Sequence, residues 1–299
     1  MQLFDISDRT ELALVGPDSR AFLNRLATNR TDPLPSGTGC ETFLTDAKGR
    51  VRAYLRVLAS DDGLLLDSAP GQAAAIAAHL SRYLLRDRVE IRDTAPPRRL
   101  FLLTGAEAEA LLSPRTGPLP RDLLAHRPVE LEGTRIGLCR LDVESHVAWR
   151  LSCPADDGDV VLGALRDMGA ALGDRSAAEA WRIAAGWPEY GRDIAEDNLP
   201  QEIARDSRAI CFDKGCYLGQ ETVARIESRG HVNQTLVRLH FPSPPPPATE
   251  LLAEGKPVGR VTSSASLPDG QGIALGYVRR GWNQPGTVFA SAVGAAEIV

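Results

Sequence analysis

Five of the six residues from Pro242 to Pro247 are proline. No helix or central strand accommodates such a run, because proline lacks an amide donor and its ring clashes with a preceding helical turn. The segment therefore reads as a stiff extended linker over 242–248 and as a domain boundary. After it, residues 249–299 hold short apolar runs separated by Gly, Pro, Asn and Asp turns with no helical period, which predicts a small β-barrel or sandwich. Before it, Thr235 to Phe241 alternates as Leu236, Val237, Leu239 and Phe241 and reads as the last strand of a core spanning 1–241.

Within that core, helical and strand patterns mix with hairpins instead of alternating strictly, so the class is α+β. A first lobe runs to about residue 97, where Pro96 and Pro97 end it. It holds a strand at Glu11 to Val15, a helix N-capped by Asp18, a hairpin of Cys40 to Thr45 and Val51 to Ala59 about the turn Asp46 to Gly49, a strand at Leu64 to Asp67, a helix from Gly71 to Leu85, and a strand at Arg88 to Arg92. Val51, Ala53, Leu55 and Val57 alternate with Arg52, Tyr54 and Arg56, which predicts a strand buried on one face. The second lobe, about 98–241 and free to interleave with the first, holds a strand at Leu100 to Leu103, a helix at Ala106 to Leu112, a proline-containing loop at Arg115 to Arg127, an antiparallel pair at Thr134 to Leu141 and His146 to Ser152, and helices at Asp159 to Leu172 and Ala177 to Ala185.

A lysine and a cysteine stand two apart in Asp213 to Gly230, DKGCYLGQETVARIESRG. Val223 and Ile226 share one helical face and Gly230 sits at a C-cap position, so a helix is predicted from near Gly219. Cys216 then lies just ahead of a helix N-terminus, where unpaired amides and the ammonium of Lys214 both favour a thiolate. Cys211, in the apolar run Ala209 to Phe212, reads as an ordinary buried cysteine.

Composition narrows the chemistry. A net charge of −5 excludes a general nucleic-acid binder. Nearly all positive charge is arginine, with lysine only at 48, 214 and 256. The five cysteines are odd in number and scattered, which fits a reducing compartment. No run approaches the roughly 18 apolar residues of a membrane span and the N-terminus has no signal-peptide pattern, so a cytoplasmic protein is expected. Gly37-Thr38-Gly39 lacks the third glycine of a dinucleotide loop. The histidines show no zinc spacing, Cys211 and Cys216 have no third cysteine two residues on, and no GxSxG occurs, so no resident metal is expected.

KGCYLGQE followed by VAR and RG resembles the signature of the YgfZ-type folate-binding proteins, which are similar in fold to the glycine-cleavage aminomethyltransferase. TDAKGR at Thr45 to Arg50, AAGWPEYGRDI at Ala184 to Ile194, PQE at Pro200 to Glu202, GRVTSSA at Gly259 to Ala265 and IALGYV at Ile273 to Val278 agree in order. The resemblance implies two mixed lobes forming a folate-binding core plus a small C-terminal β-barrel. It implies tetrahydrofolate or another reduced folate as ligand and a role in assembly, maturation or repair of iron–sulfur proteins, with client or assembly proteins as partners. Cys216 and Lys214 are then the catalytic candidates, and Arg182, Gln201, Tyr217 and Gln220 the folate-binding ones. The aminomethyltransferases carry an aspartate after the first hairpin turn, where this chain has Arg52, Ala53 and Tyr54. They carry RxExG where it has RIAAG with Ala184, and a GYTGE-type stretch that is not recognisable near Leu138 to Trp149. Folate-dependent aminomethyl or one-carbon transfer is therefore the alternative reading. A binding module with a merely structural cysteine is the third.

Overall fold

The computed structural model describes residues 1–93, 97–143 and 146–299. Pro96, expected to close the first lobe, lies outside them. Contacts divide the chain into two units, Met1–Leu44 with Arg52–Gly173 and Cys211–Tyr217, and Thr45–Val51 with Asp174–Ile210 and Leu218–Val299. Helices and strands mix as an α+β chain that ends in a closed barrel, as the patterning predicts.

The first unit is built on two sheets. One runs in the order Gly39–Thr45, Val51–Ser60, Gly63–Ser68, Thr10–Val15, Glu90–Asp93. The other runs Ala171–Leu172, Gln2–Asp5, Arg98–Thr104, His146–Pro154, Thr134–Val143, His126–Leu131. The N-terminal strand thus joins strands from the middle of the chain. Leu103, Trp149 and Leu151 of this second sheet pack with Leu112 of helix Ala108–Thr116 and Val161 and Leu165 of helix Gly158–Asp167. The helix expected to reach Leu172 stops at Asp167 because Gly169 turns the chain at φ +87°. Ala171 and Leu172 then pair in parallel with Gln2 and Leu3. The expected loop Arg115 to Arg127 gives up its first residues to a helix that takes in Pro114 and its last two to a strand. That strand, His126–Leu131, tolerates Pro128 because it is a sheet edge.

Two further expectations change. Val51–Ser60 is buried on both faces, not one. Its polar residues go inside because each finds an acid: the Tyr54 hydroxyl donates to Glu41 at 2.7 Å, and Arg56 pairs with Asp67 at 2.9 Å, which also takes Arg9 at 2.6 Å. Breaking such a buried pair costs about 3–5 kcal/mol. Arg150 makes a similar pair with Glu11, joining one sheet to the other. Asp18 precedes helix Ser19–Asn24 without capping it, since its carboxylate is taken by the Arg88 amide at 2.8 Å and guanidinium at 3.1 Å. The helix expected over Gly71 to Leu85 is shorter, Ala73–Ser81.

The second unit holds helix Arg175–Ala184, whose first turn is capped by Asp174 Oδ1 accepting the Ala177 amide at 2.8 Å, a 3₁₀ turn at Pro200–Ile203, and helices Asp206–Ala209 and Gln220–Arg229. Its barrel closes in the order Gln234–Phe241, Gly272–Arg279, Lys256–Ser266, Glu250–Ala253, Val288–Ser291, Gly294–Ile298. The strand expected to end the core is therefore the first of the barrel, paired with Gly272–Arg279 on one side and with Glu297 and Ile298 on the other. The proline run is a connection inside the barrel rather than a linker ahead of it. Ser264 Oγ donates to the Pro245 carbonyl at 2.6 Å, and a Cβ on Gly272 would meet Pro244 Cα at the same distance.

Candidate functional site

The Asp213 to Gly230 motif contributes to both units, and each part is anchored by its own contacts. In the first unit Lys214 is 6% exposed, with Nζ donating to the carbonyls of Asn24 at 2.7 Å, Ala27 at 2.8 Å and Asn29 at 2.7 Å. Two of these carbonyls lie at or just past the end of helix Ser19–Asn24, where a cation is favoured. Burial pulls the ammonium down to about 8, and the carbonyl cage makes up only part of the lost hydration. Nζ also stands 5.2 Å from the centre of the Tyr217 ring. The Cys211 amide donates to the Thr28 carbonyl at 3.0 Å and Arg30 reaches the Asp213 carbonyl at 3.4 Å.

Between the anchors Lys214 and Tyr217, both buried, Gly215 and Cys216 face outward. Of the five cysteines only Cys216 is exposed. Burial pushes the thiols of Cys40 and Cys139 up to about 12 and also raises Cys153. Cys211, expected in a buried run, is half-buried with Arg30 Nη2 3.8 Å from its sulfur, and its neighbour Phe212 is exposed.

In the second unit the helix that the motif predicts is present as Gln220–Arg229, with Gly219 at its N-cap and Gly230 at its C-cap. Gly219 has φ +81°, and a Cβ there would meet Gly49 Cα at 2.9 Å and the Asp46 carbonyl at a still shorter distance. Gly49, at φ +77°, would meet Thr222 Cβ at 2.8 Å. Thr45 Oγ1 donates to the Leu218 carbonyl at 2.5 Å. The hairpin turn TDAKGR and the helix start LGQET thus pack backbone to backbone, which requires both glycines. Asp46 Oδ1 shapes the turn by accepting the amides of Lys48 and Arg50 at 2.8 and 3.0 Å.

Gln201 lies against the same helix, with Nε2 donating to the Val223 carbonyl at 2.8 Å and Oε1 buried without a hydrogen-bond partner among the described residues. Gln220, the first residue of that helix, is half-buried. Arg182 is directed elsewhere. Its guanidinium bonds Glu179 at 2.7 Å, Asp193 at 2.7 Å and the Trp187 carbonyl. Burial opposes its charge, but Glu179 and Asp193 hold it above its ordinary value. Asp193 accepts in turn from Thr262 and Ser263, each at 2.6 Å, and its carbonyl accepts from the Tyr277 hydroxyl at 2.9 Å. GRDI and GRVTSSA, both quoted for the resemblance, are thereby tied together around one carboxylate.

Asp206 was not singled out in the sequence. Its Oδ1 is buried with no hydrogen-bond partner among the described residues, and burial, reinforced by Glu227, raises its carboxyl to about 6. An acid opening DSRA reads as an ordinary first-turn carboxylate, and nothing local in the sequence announces its burial. Among the described residues no cluster of metal-binding side chains occurs, and no helix is long and apolar enough to cross a membrane.

Comparison with known proteins gives a consistent picture. The GCVT N-terminal domain family matches residues 1–214. An aminomethyltransferase of Thermus thermophilus is 29% identical over 95% of this chain and 81% of its own length, and a mitochondrial aminomethyltransferase of Gallus gallus is 28% identical over 96% and 76%. A chloroplastic protein of Arabidopsis thaliana, provisionally named a transferase, is 27% identical over 92% of this chain, which spans only 65% of that protein's length. The crystal structure of glycine cleavage system aminomethyltransferase T from Bartonella henselae superposes with a TM-score of 0.85 over 99% of this chain and 84% of that one, at 21% identity, which shows a shared fold.

Proposed function

The chain belongs to the GCVT N-terminal domain family, and from that premise we propose that it binds a reduced folate and acts as an accessory factor for assembly or repair of iron–sulfur proteins, with Cys216 as its working thiol. The observation that carries this reading is the display of Cys216: the only exposed cysteine stands between two buried residues of one motif, Lys214 caged by three carbonyls and Tyr217 beneath the ammonium. A loop whose ends are fixed this firmly, with its thiol outward, suits a group that must meet a partner.

The folate part rests on the second unit. Gln201 Oε1 is a buried acceptor without a donor among the described residues, and a pterin ring presents N–H donors that would satisfy it. Gln220, one turn before Val223 on the helix that Gln201 contacts, is the companion side chain. Tetrahydrofolate supplies nitrogens able to carry a one-carbon unit. Arg182 serves as a positioning residue through Asp193. A one-carbon transferase is the second reading, favoured by the names of the relatives and opposed by the absence of a free carboxylate after the first hairpin turn. There Tyr54 is buried and bonded to Glu41.

Calorimetry with tetrahydrofolate tests the ligand. Binding at about micromolar affinity is expected, weakened about ten-fold or more in Gln201→Leu. No heat of binding at about 1 mM ligand would overturn the folate assignment. Turnover of a folate one-carbon adduct on a small amine would favour the transferase.

A further inference from the structure

Within the first unit the two sheets line a half-open cavity of about 660 Å³, a size ordinary for a small-molecule site. Its walls include Ala13 and Leu65 from one sheet and Gly137 and Cys139 from the other. Five arginines also line it: Arg92, Arg98, Arg127, Arg135 and Arg150. The carboxylates lining it are Asp62 and Asp93.

Three of the five arginines are not balanced by a carboxylate among the described residues. Among the described residues Arg98, Arg127 and Arg135 have no carboxylate partner, and Arg92 pairs with Glu90 at the exposed sheet edge. Arg98 bonds Ser152 Oγ at 2.8 Å and Arg127 the Thr116 carbonyl at 2.8 Å, both neutral acceptors. Arg150 is 2% exposed and pairs with Glu11, yet its Nε is buried and unbonded among the described residues, as is Arg127 Nε. Arg127 stands with Leu138 on the helix-covered face of the sheet, whereas Arg98, Arg135 and Arg150 share the face toward the cavity, where three guanidinium groups against apolar walls are costly unless an anion offsets their charge. Planar arginine forks match carboxylate and phosphate oxygens in pairs.

We propose that this cavity binds a small organic anion, an apolar body carrying a carboxylate or phosphate head, with Arg98, Arg135 and Arg150 receiving the head. The site uses none of the residues proposed to contact folate.

The test uses the full chain and the fluorescent probe 1-anilinonaphthalene-8-sulfonate, an apolar body with one anionic head. Saturable binding of one probe per chain is expected. Decanoate and 1-naphthyl phosphate displace it better than neutral 1-decanol, and whichever of the two is stronger identifies the head group. Arg135 is exposed and without a carboxylate partner among the described residues, so Arg135→Gln keeps the wild-type melting temperature while weakening the probe about ten-fold. Its affinity for tetrahydrofolate stays unchanged, which separates failure here from failure of the folate assignment. Absence of saturable probe binding, equal displacement by 1-decanol, wild-type probe affinity in a folded Arg135→Gln variant, or displacement by tetrahydrofolate at the concentration that fills its own site would each overturn the proposal.

Discussion

Cys216 differs from the other four cysteines first in access. Alkylation requires a thiolate that the reagent can reach; the thiols of Cys40 and Cys139 are pushed up to about 12, and Cys139 is buried as well. Mass-spectrometric labelling near neutral pH is therefore expected to modify Cys216 first, with Cys40 and Cys139 reacting only on unfolding; early labelling of Cys139 would contradict this. Lys214, expected to act on the thiol, is fixed by the three carbonyls of its cage. Lys214→Met leaves those acceptors without a donor and is expected to cost about 2–4 kcal/mol, measured by urea unfolding. An unchanged unfolding midpoint would show the cage to be unimportant. Asp206 gives the stability a pH dependence of known sign. Its carboxyl is raised to about 6 in the fold, so between its unfolded value and 6 the native state holds the extra proton and stability falls as pH rises. Asp206→Asn removes that slope and is expected to stabilise at pH 7 by about 1 kcal/mol after allowance for solvent screening. Identical pH profiles for the two proteins would contradict the assignment.

At the scale of elements, helix Gln220–Arg229 was legible because its periodicity and both flanking glycines lie within one short stretch. What Gly219 and Gly49 are for was not. Their requirement comes from two backbones meeting across about 170 residues, and only the fold shows that. Gly219→Ala adds a Cβ at positive φ against Asp46 and Gly49, a combination of strain and overlap expected to cost about 2–4 kcal/mol. A thermal melt within 1 °C of wild type would exclude the close approach. The proline run was legible as a break but not as a boundary. Alternation in Gln234–Phe241 reports a half-buried strand without telling which sheet it joins, and a proline run by itself does not say whether it separates two domains or connects two strands of one barrel. Strapped to Ser264 and lying on Gly272, the run is expected to resist limited proteolysis until the barrel unfolds. Early cutting between Pro242 and Pro247 would restore the linker.

Taken whole, the chain announced its class and its C-terminal barrel through composition, turn residues and strand length, all of which are local. Its connectivity was hidden, since Gln2–Asp5 is too short to signal that it pairs with Arg98–Thr104 and Ala171–Leu172. The buried face of Val51–Ser60 was hidden for a different reason: polar residues look solvent-facing until their partners, Glu41 and Asp67, are placed beside them. Among candidate site residues Lys214, Cys216 and Tyr217 stand together in one motif, Arg182 is tied to Asp193, and the side-chain carbonyl oxygen of Gln201 has no partner among the described residues. The most direct measurement of the account is made in cells lacking this chain, with iron–sulfur enzyme activities assayed after return of the wild type or of Cys216→Ser at equal abundance. The account predicts restoration by the wild type and activities near the deletion level with Cys216→Ser. Full restoration by Cys216→Ser, or no deficit in the deletion strain, would contradict it.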